Sequence, residues 1–277
     1  MSATLTPDIA SVAEAPTLKV TQARVIRSEW TKFRSLRSTL YTALTAVVLM
    51  IGIGAIFSGV SAAQYQGFSA SDKASFNPVA TSLEGIAFAV VAFGVLGVLL
   101  MSGEYSTGMI RASLTAVPRR LPVLWGKMTV FAGTIFATSL VASFISFFLG
   151  QALLSGHHLS VTLSAPGALR AVIGGALYMT VSGLIGVALG ALFRNTAAGI
   201  STFAGVFFVI PPLAELLPTS VQNHVAPYLP SNAGDVLFLG TQEVKNALSP
   251  WTGFALLCGY AVVLIVAAAW RLRRADA

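Results

Sequence analysis

Residues 40–60 carry no charged side chain. At about 1.5 Å per residue, a helix of that length crosses roughly 30 Å of hydrocarbon. This run constrains the fold more tightly than any other feature, because inside a bilayer the backbone must satisfy its own hydrogen bonds and so must be helical. Five comparable runs follow at 82–101, 128–151, 170–193, 197–217 and 251–270. The chain is 55% hydrophobic and only 10% charged, against about a quarter charged in soluble domains. It therefore reads as an all-α polytopic membrane protein, with six transmembrane helices in one domain over 40–270.

The flanks differ in kind from the spans. Residues 1–17 lack both an apolar run and the basic start of a secretory signal, so they are expected to form a disordered cytoplasmic tail. In 18–39, Ile26, Trp30 and Phe33 fall near one helical face, with Arg24, Arg27, Lys32, Arg34 and Arg37 around the rest. That is the pattern of an amphipathic helix lying in the headgroup layer, its basic residues toward anionic lipid. Residues 271–277 form a basic cytoplasmic tail, and Trp251 and Trp270 bracket the sixth span as an aromatic belt.

The interval 103–127 separates the second and third spans and is polar and basic. Ile110, Leu114 and Val117 stand at i, i+4 and i+7, which predicts a short helix starting near Ser106. Arg111 lies off its apolar stripe, Pro118 ends it, and Arg119 and Arg120 follow. Elsewhere, Ser182, Gly186 and Gly190 form a small-residue ridge along which helices approach closely. Residues 194–196 are a tight turn between the fourth and fifth spans. Pro211 and Pro212 should kink or end the fifth. The segment 218–250 is long for a structureless loop, and its prolines and apolar patches suit short extracellular helices dipping into the outer leaflet. Glu84 and Glu215 are the carboxylates that approach the membrane, and each is a candidate for substrate or outer-gate contact.

Of the 17 Lys and Arg residues, all but Lys73, Arg170 and Lys245 fall on the side of the N-terminus when six spans are threaded. The positive-inside rule then puts both termini, the interval 103–127 and the Arg194 turn in the cytoplasm. The net charge of +7 is explained by topology, and no nucleic-acid partner is implied. Catalytic signatures are missing. No G-x-x-x-x-G-K-[ST] loop, no H-E-x-x-H and no G-x-S-x-G occurs. The lone cysteine, Cys258, allows no disulfide within one chain, and the adjacent His157 and His158 have no nearby third ligand for a metal.

Gly103, Glu104, Tyr105 and Ser106, followed by Gly108, Leu114 and Pro118 with its two arginines, resemble the loop after the second span in permeases of bacterial type-2 ABC exporters. The run Ser28-Glu29-Trp30-Thr31-Lys32-Phe33-Arg34-Ser35 resembles that family's N-terminal interfacial helix. The resemblance implies a plasma-membrane permease without catalytic residues of its own, working as a homodimer or heterodimer whose interface involves the first and fifth spans. It implies a separate ATPase subunit that holds ATP and magnesium. It also implies that the helix after Ser106 is a coupling helix, with Glu104, Ser106, Ile110, Arg111, Leu114, Val117, Arg119 and Arg120 facing that partner. The resemblance names no cargo; the scarcity of charges in the spans suits a small amphipathic or lipid-like one. Two other readings fit the same residues: a non-transporting scaffold or sensor that docks a cytoplasmic protein, and a secondary transporter. The latter normally places ionisable residues near the midplane.

Overall fold

The computed structural model describes residues 21–109, 120–239 and 247–274, and among these every regular element is helical. Helix α1 spans Gln22–Ser35 and α2 spans Arg37–Gln64. After a 3-10 turn come α3, Ala70–Ser75, and α4, Pro78–Leu83. Helix α5 is Ile86–Ser106, α6 is Arg120–Ser155 and α7 is Ala168–Phe193. The fifth span is composite: α8, Thr196–Ala204, a π-helical turn at Gly205–Val209, and α9, Ile210–Glu215. Helices α10, Thr219–Val225, and α11, Pro230–Asp235, lead to α12, Pro250–Arg274. Among the described residues, six helical stretches are long and apolar enough to cross a membrane, as expected.

The bundle is built around α7 and α5. In the apolar window of the fourth span 72% of residues are buried, against 22% in the first, fifth and sixth. Small residues set this arrangement. A Cβ on Gly186 would collide with the Gly94 carbonyl oxygen, and one on Gly97 with that of Gly183. Hence the ridge Ser182-Gly186-Gly190 seats against α5, the second span, as well as bordering the short turn to α8. Above this contact a polar seam joins α4 to α6. Ser146 Oγ donates to the Ser82 carbonyl at 2.7 Å, and Gln151 Nε2 to the Pro78 carbonyl at 3.0 Å. Gln151 Oε1 accepts from Val161 N–H at 2.7 Å, which ties the loop after α6 to the same seam.

The helices overrun the uncharged stretches that announce them. Helix α6 has 36 residues, about 54 Å at the usual rise, so it stands well beyond roughly 30 Å of hydrocarbon. Between the first two apolar runs lie α3 and most of α4. Ser69 and Asn77 accept from the first-turn N–H groups of these helices, and Pro78 starts α4 where its missing N–H costs nothing. Glu84 sits in the break between α4 and α5 and is exposed. In the fifth span Pro211 and Pro212 do not end the helix. The π turn just before them takes up the irregularity, with Ile210 N–H reaching back to the Gly205 carbonyl. Among the short elements of 218–250, α11 is anchored in the bundle: a Cβ on Gly234 would meet the Tyr178 ring, and one on Gly253 the Ala233 carbonyl.

Candidate functional site

Glu104 lies in the last turn of α5 and Lys127 two turns into α6, and the two ends of the interval 103–127 stand side by side. Lys127 Nζ lies 2.9 Å from Glu104 Oε1 and 2.8 Å from Glu29 Oε2. Lys32 completes the group, 2.8 Å from Glu29 Oε1 and 3.5 Å from Glu104 Oε1. Three helices therefore meet in a four-charge cluster with no net charge. Its centre is dry: the Lys127 and Glu29 side chains are 3% and 4% exposed, while Lys32, at 32%, faces outward.

The local sequence explains how the cluster forms. Along α1, Val25, Glu29 and Phe33 recur every four residues and turn toward α6 as a single stripe. Gly126 lets the two helices close up, since a Cβ there would stand 2.9 Å from Val25 Cγ1. Gln22 Nε2 donates to the Pro122 carbonyl at 3.1 Å and fixes the far end of α1. At the near end only Leu36, with extended backbone, separates α1 from α2, so α1 is a rigid arm hung on a one-residue joint. Burial works against the charge on Glu29, but Lys127 and then Lys32 outweigh it and hold the carboxyl below the usual range. Burial likewise opposes the charge on Lys32, and its two glutamate partners overcome this and raise it.

A second set of contacts leaves the same end of α5 in another direction. Ser102 Oγ and Thr196 Oγ1 are 2.9 Å apart, and the Arg194 guanidinium lies 5.0 Å from the Tyr105 ring centroid. Arg194 itself caps α7 in the left-handed conformation, φ 55°. The last turn of α5 thus grips α1 and α6 through one residue and the α7–α8 turn through its neighbours. Beside the ion cluster, between α1, α2, α5 and α6, opens a cavity of about 430 Å³.

Of the residues expected to meet a partner, Glu104 and Ser106 belong to the end of α5 and not to a new helix: Thr107 caps α5 and Gly108 turns the chain at φ 72°. Glu104 faces inward, Ser106 is exposed, and Arg120 opens α6. Ile110, Arg111, Leu114, Val117 and Arg119 lie outside the described residues. On α1, Phe33 packs into the core, Ile26 is half-buried, Arg34 is exposed, and Trp30 is 46% exposed beside the buried stripe. Glu215 ends α9 and is exposed, whereas Glu84 is near enough to Asp235 for the two carboxylates to repel. Among the described residues no group of three or more His, Cys, Asp or Glu is placed to hold a metal. Composition and periodicity did not single out Glu29, Lys127, Tyr105 or Asp235. The available signal for the first was an acid in an otherwise basic helix, three residues from Lys32.

Among the described residues, six membrane-length helices, an amphipathic arm and a polar junction where three helices meet define a polytopic membrane protein. Residues 25–212 match the family described as ABC-2 family transporter protein, and the chain belongs to that family. No curated protein matches it closely enough to count as a relative. Members of this family are membrane subunits of ABC transporters that work with an ABC ATPase subunit.

Proposed function

We propose that this chain is the permease of an exporter that carries a small amphipathic or lipid-like molecule out of the cell, driven by ATP hydrolysed on a separate subunit. The observation that carries the mechanism is the Glu104–Lys127 contact at 2.9 Å. It closes the interval 103–127 at its base, so force applied anywhere on that interval is delivered to one point. From there Glu29 passes it to α1, and Ser102 and Tyr105 pass it to the turn between the fourth and fifth spans. The carrier of motion is rocking of packed helices as rigid bodies. Family membership supports the ATPase partner. The excess of Lys and Arg on the α1 side supports a cytoplasmic base, and the largely uncovered first and fifth spans leave room for a second permease chain.

The test is purification of this chain with whatever ATP-hydrolysing subunit it retains and reconstitution of that complex in vesicles. Arg111→Glu should leave insertion intact while removing permease-stimulated ATP hydrolysis and export from vesicles. Unchanged stimulation and export in that variant would remove the interval 103–127 from the coupling path. A purified complex with no ATP-hydrolysing subunit would favour the scaffold reading instead.

A further inference from the structure

At the end of the bundle opposite the ion cluster, residues 230–239 are wedged between helices. Helix α11 contributes Ala233 and Gly234 to this contact, and the turn after it contributes Val236, Leu237 and Phe238, all buried. On the α7 side, Phe238 stacks on Tyr178 with ring centroids 6.0 Å apart, and Leu237 closes on Gly174, where a Cβ would stand 2.9 Å from the Leu237 Cβ. On the α12 side, a Cβ on Gly253 would meet Val236 as well as Ala233. At the start of α4, the side-chain amide of Asn77 donates to the Leu239 carbonyl. Apolar contact and the Asn77 hydrogen bond thus seat the segment as a lid. Asp235 is its only ionisable residue, half-buried in the middle of these contacts. Among the described residues, the titratable groups acting on it are the Tyr178 hydroxyl on α7 and the Glu84 carboxylate at the α4–α5 break, and α12 brings none. Burial outweighs the one hydroxyl, and Glu84 adds repulsion, so the carboxyl is pushed up to about 7.

We propose that residues 230–239 are a proton-latched lid: with Asp235 protonated the segment stays seated against α4, α7 and α12, and with Asp235 ionised it lifts away from Tyr178 and Glu84 toward water. Linkage fixes the sign. Seated, Asp235 keeps its proton to a higher pH than it does when released into water, where a carboxyl titrates near its ordinary value of about 3.9. Seating is therefore strongest in acid and weakens as pH rises from about 4 to about 7. Above that it weakens no further, because Asp235 is then ionised in both positions. One proton released per opening changes the equilibrium by up to about tenfold per pH unit inside the window. The lid covers the end of α7, the most buried span, and its contacts with α4 and α12 close that end of the bundle. This device rests only on the membrane-spanning fold and not on pairing with an ATPase.

The test is hydrogen–deuterium exchange of the full-length chain in detergent from about pH 5 to about pH 8.5, with each rate divided by the intrinsic rate of that amide at the same pH. Protection of the amides of 231–238 should fall by up to about tenfold per pH unit to about pH 7 and then level off. Amides of α7 around Val187, in the core of the bundle, should show no such fall. Asp235→Asn should keep the lid protected at every pH. Glu84→Gln removes the repulsion and should move the levelling point to lower pH, whereas Tyr178→Phe removes the donor and should move it to higher pH. These opposite shifts do not depend on the Asp235→Asn protein folding. A lid whose protection does not change with pH, a fall that persists in Asp235→Asn, or an equal fall along α7 overturns the proposal. So does a levelling point that Glu84→Gln and Tyr178→Phe leave in place or move in the same direction. Failure to recruit any ATPase would sink the exporter reading and leave these exchange measurements standing.

Discussion

Lys127→Met removes one cation from the centre of the junction and nearly keeps its volume. In the wild type, Lys127 faces two carboxylates at 2.8 and 2.9 Å. At an effective dielectric of about 20, each such contact is worth roughly 6 kcal/mol of attraction, offset by several kcal/mol for drying each ion. The intact cluster therefore contributes little net stability. Removing Lys127 is another matter, since Glu29 and Glu104 would share only Lys32, and breaking a buried pair typically costs about 3–5 kcal/mol. At about 2–4 °C per kcal/mol for a large chain, the melting temperature should fall by roughly 6–20 °C, read by thermal shift of the detergent-purified protein. The loss is specific to the imbalance. The triple variant Glu29→Gln, Glu104→Gln, Lys127→Met should melt much closer to the wild type than Lys127→Met does. A Lys127→Met protein that melts within about 1 °C of the wild type, or a triple variant worse than the single, would refute the argument that these charges are dry and mutually dependent.

Other consequences are simpler to read. Because the Glu29 carboxyl is held below its unfolded value, it stabilises the fold above the normal carboxylate range. That contribution is lost as pH falls through its depressed value, so Glu29→Gln should flatten the acid limb of a melting-temperature profile. Asp235 is the opposite case: burial, with the neighbouring Glu84 charge adding to it and the Tyr178 hydroxyl opposing it, pushes the carboxyl up to about 7. Its ionised form is therefore penalised above that pH, and Asp235→Asn should melt higher than the wild type at pH 8, the difference shrinking as pH falls below about 7 and vanishing in the ordinary carboxylate range. Gly186→Val, which must displace the Gly94 carbonyl, should cost about 1–3 kcal/mol or more and lower folded yield. Gly52→Ala, with nothing within 4 Å of the added Cβ, should be neutral or slightly stabilising in the same assay.

The spans were legible because a helix inside a bilayer requires an uninterrupted apolar run, and such a run leaves a mark that depends on no distant residue. Their ends were not, because charge marks where hydrocarbon stops and not where hydrogen bonding stops: α2 begins at Arg37 and α6 at Arg120, both inside polar sequence. Helices α3 and α4 could have been found from Ser69 with Asp72 and from Asn77-Pro78, which are local capping signals. The junction is a different kind of object. Its pairs join residues 98, 72 and 23 positions apart in the chain, and each lysine, taken alone, satisfies the topology rule that accounts for most of the other cations. Even the small-residue ridge on α7 reported only that some helix approaches closely. That the helix is α5 depended on Gly94 and Gly97 on the other side, where an isolated glycine carries no direction.

Adjacent residues on a helix point about 100° apart, so Glu104 and Tyr105 cannot serve the same neighbour. Here they serve opposite ones: the carboxylate meets α1 and α6, and the ring meets Arg194 at the α7–α8 turn. A rotation of the last turn of α5 that brought Tyr105 away from Arg194 would swing Glu104 across the two lysines. The acceptor it carries would then exchange one cation for the other before losing both, because Lys127 and Lys32 both reach the same oxygen, at 2.9 and 3.5 Å. Such an exchange keeps the buried charge paired throughout, which is the condition under which a dry ionic junction can shift without the full cost of breaking. Two discrete pairings of one carboxylate also give a packed bundle two arrangements in place of a continuum. A movement of the interval 103–127 would then reach the α1 arm and the fourth and fifth spans together.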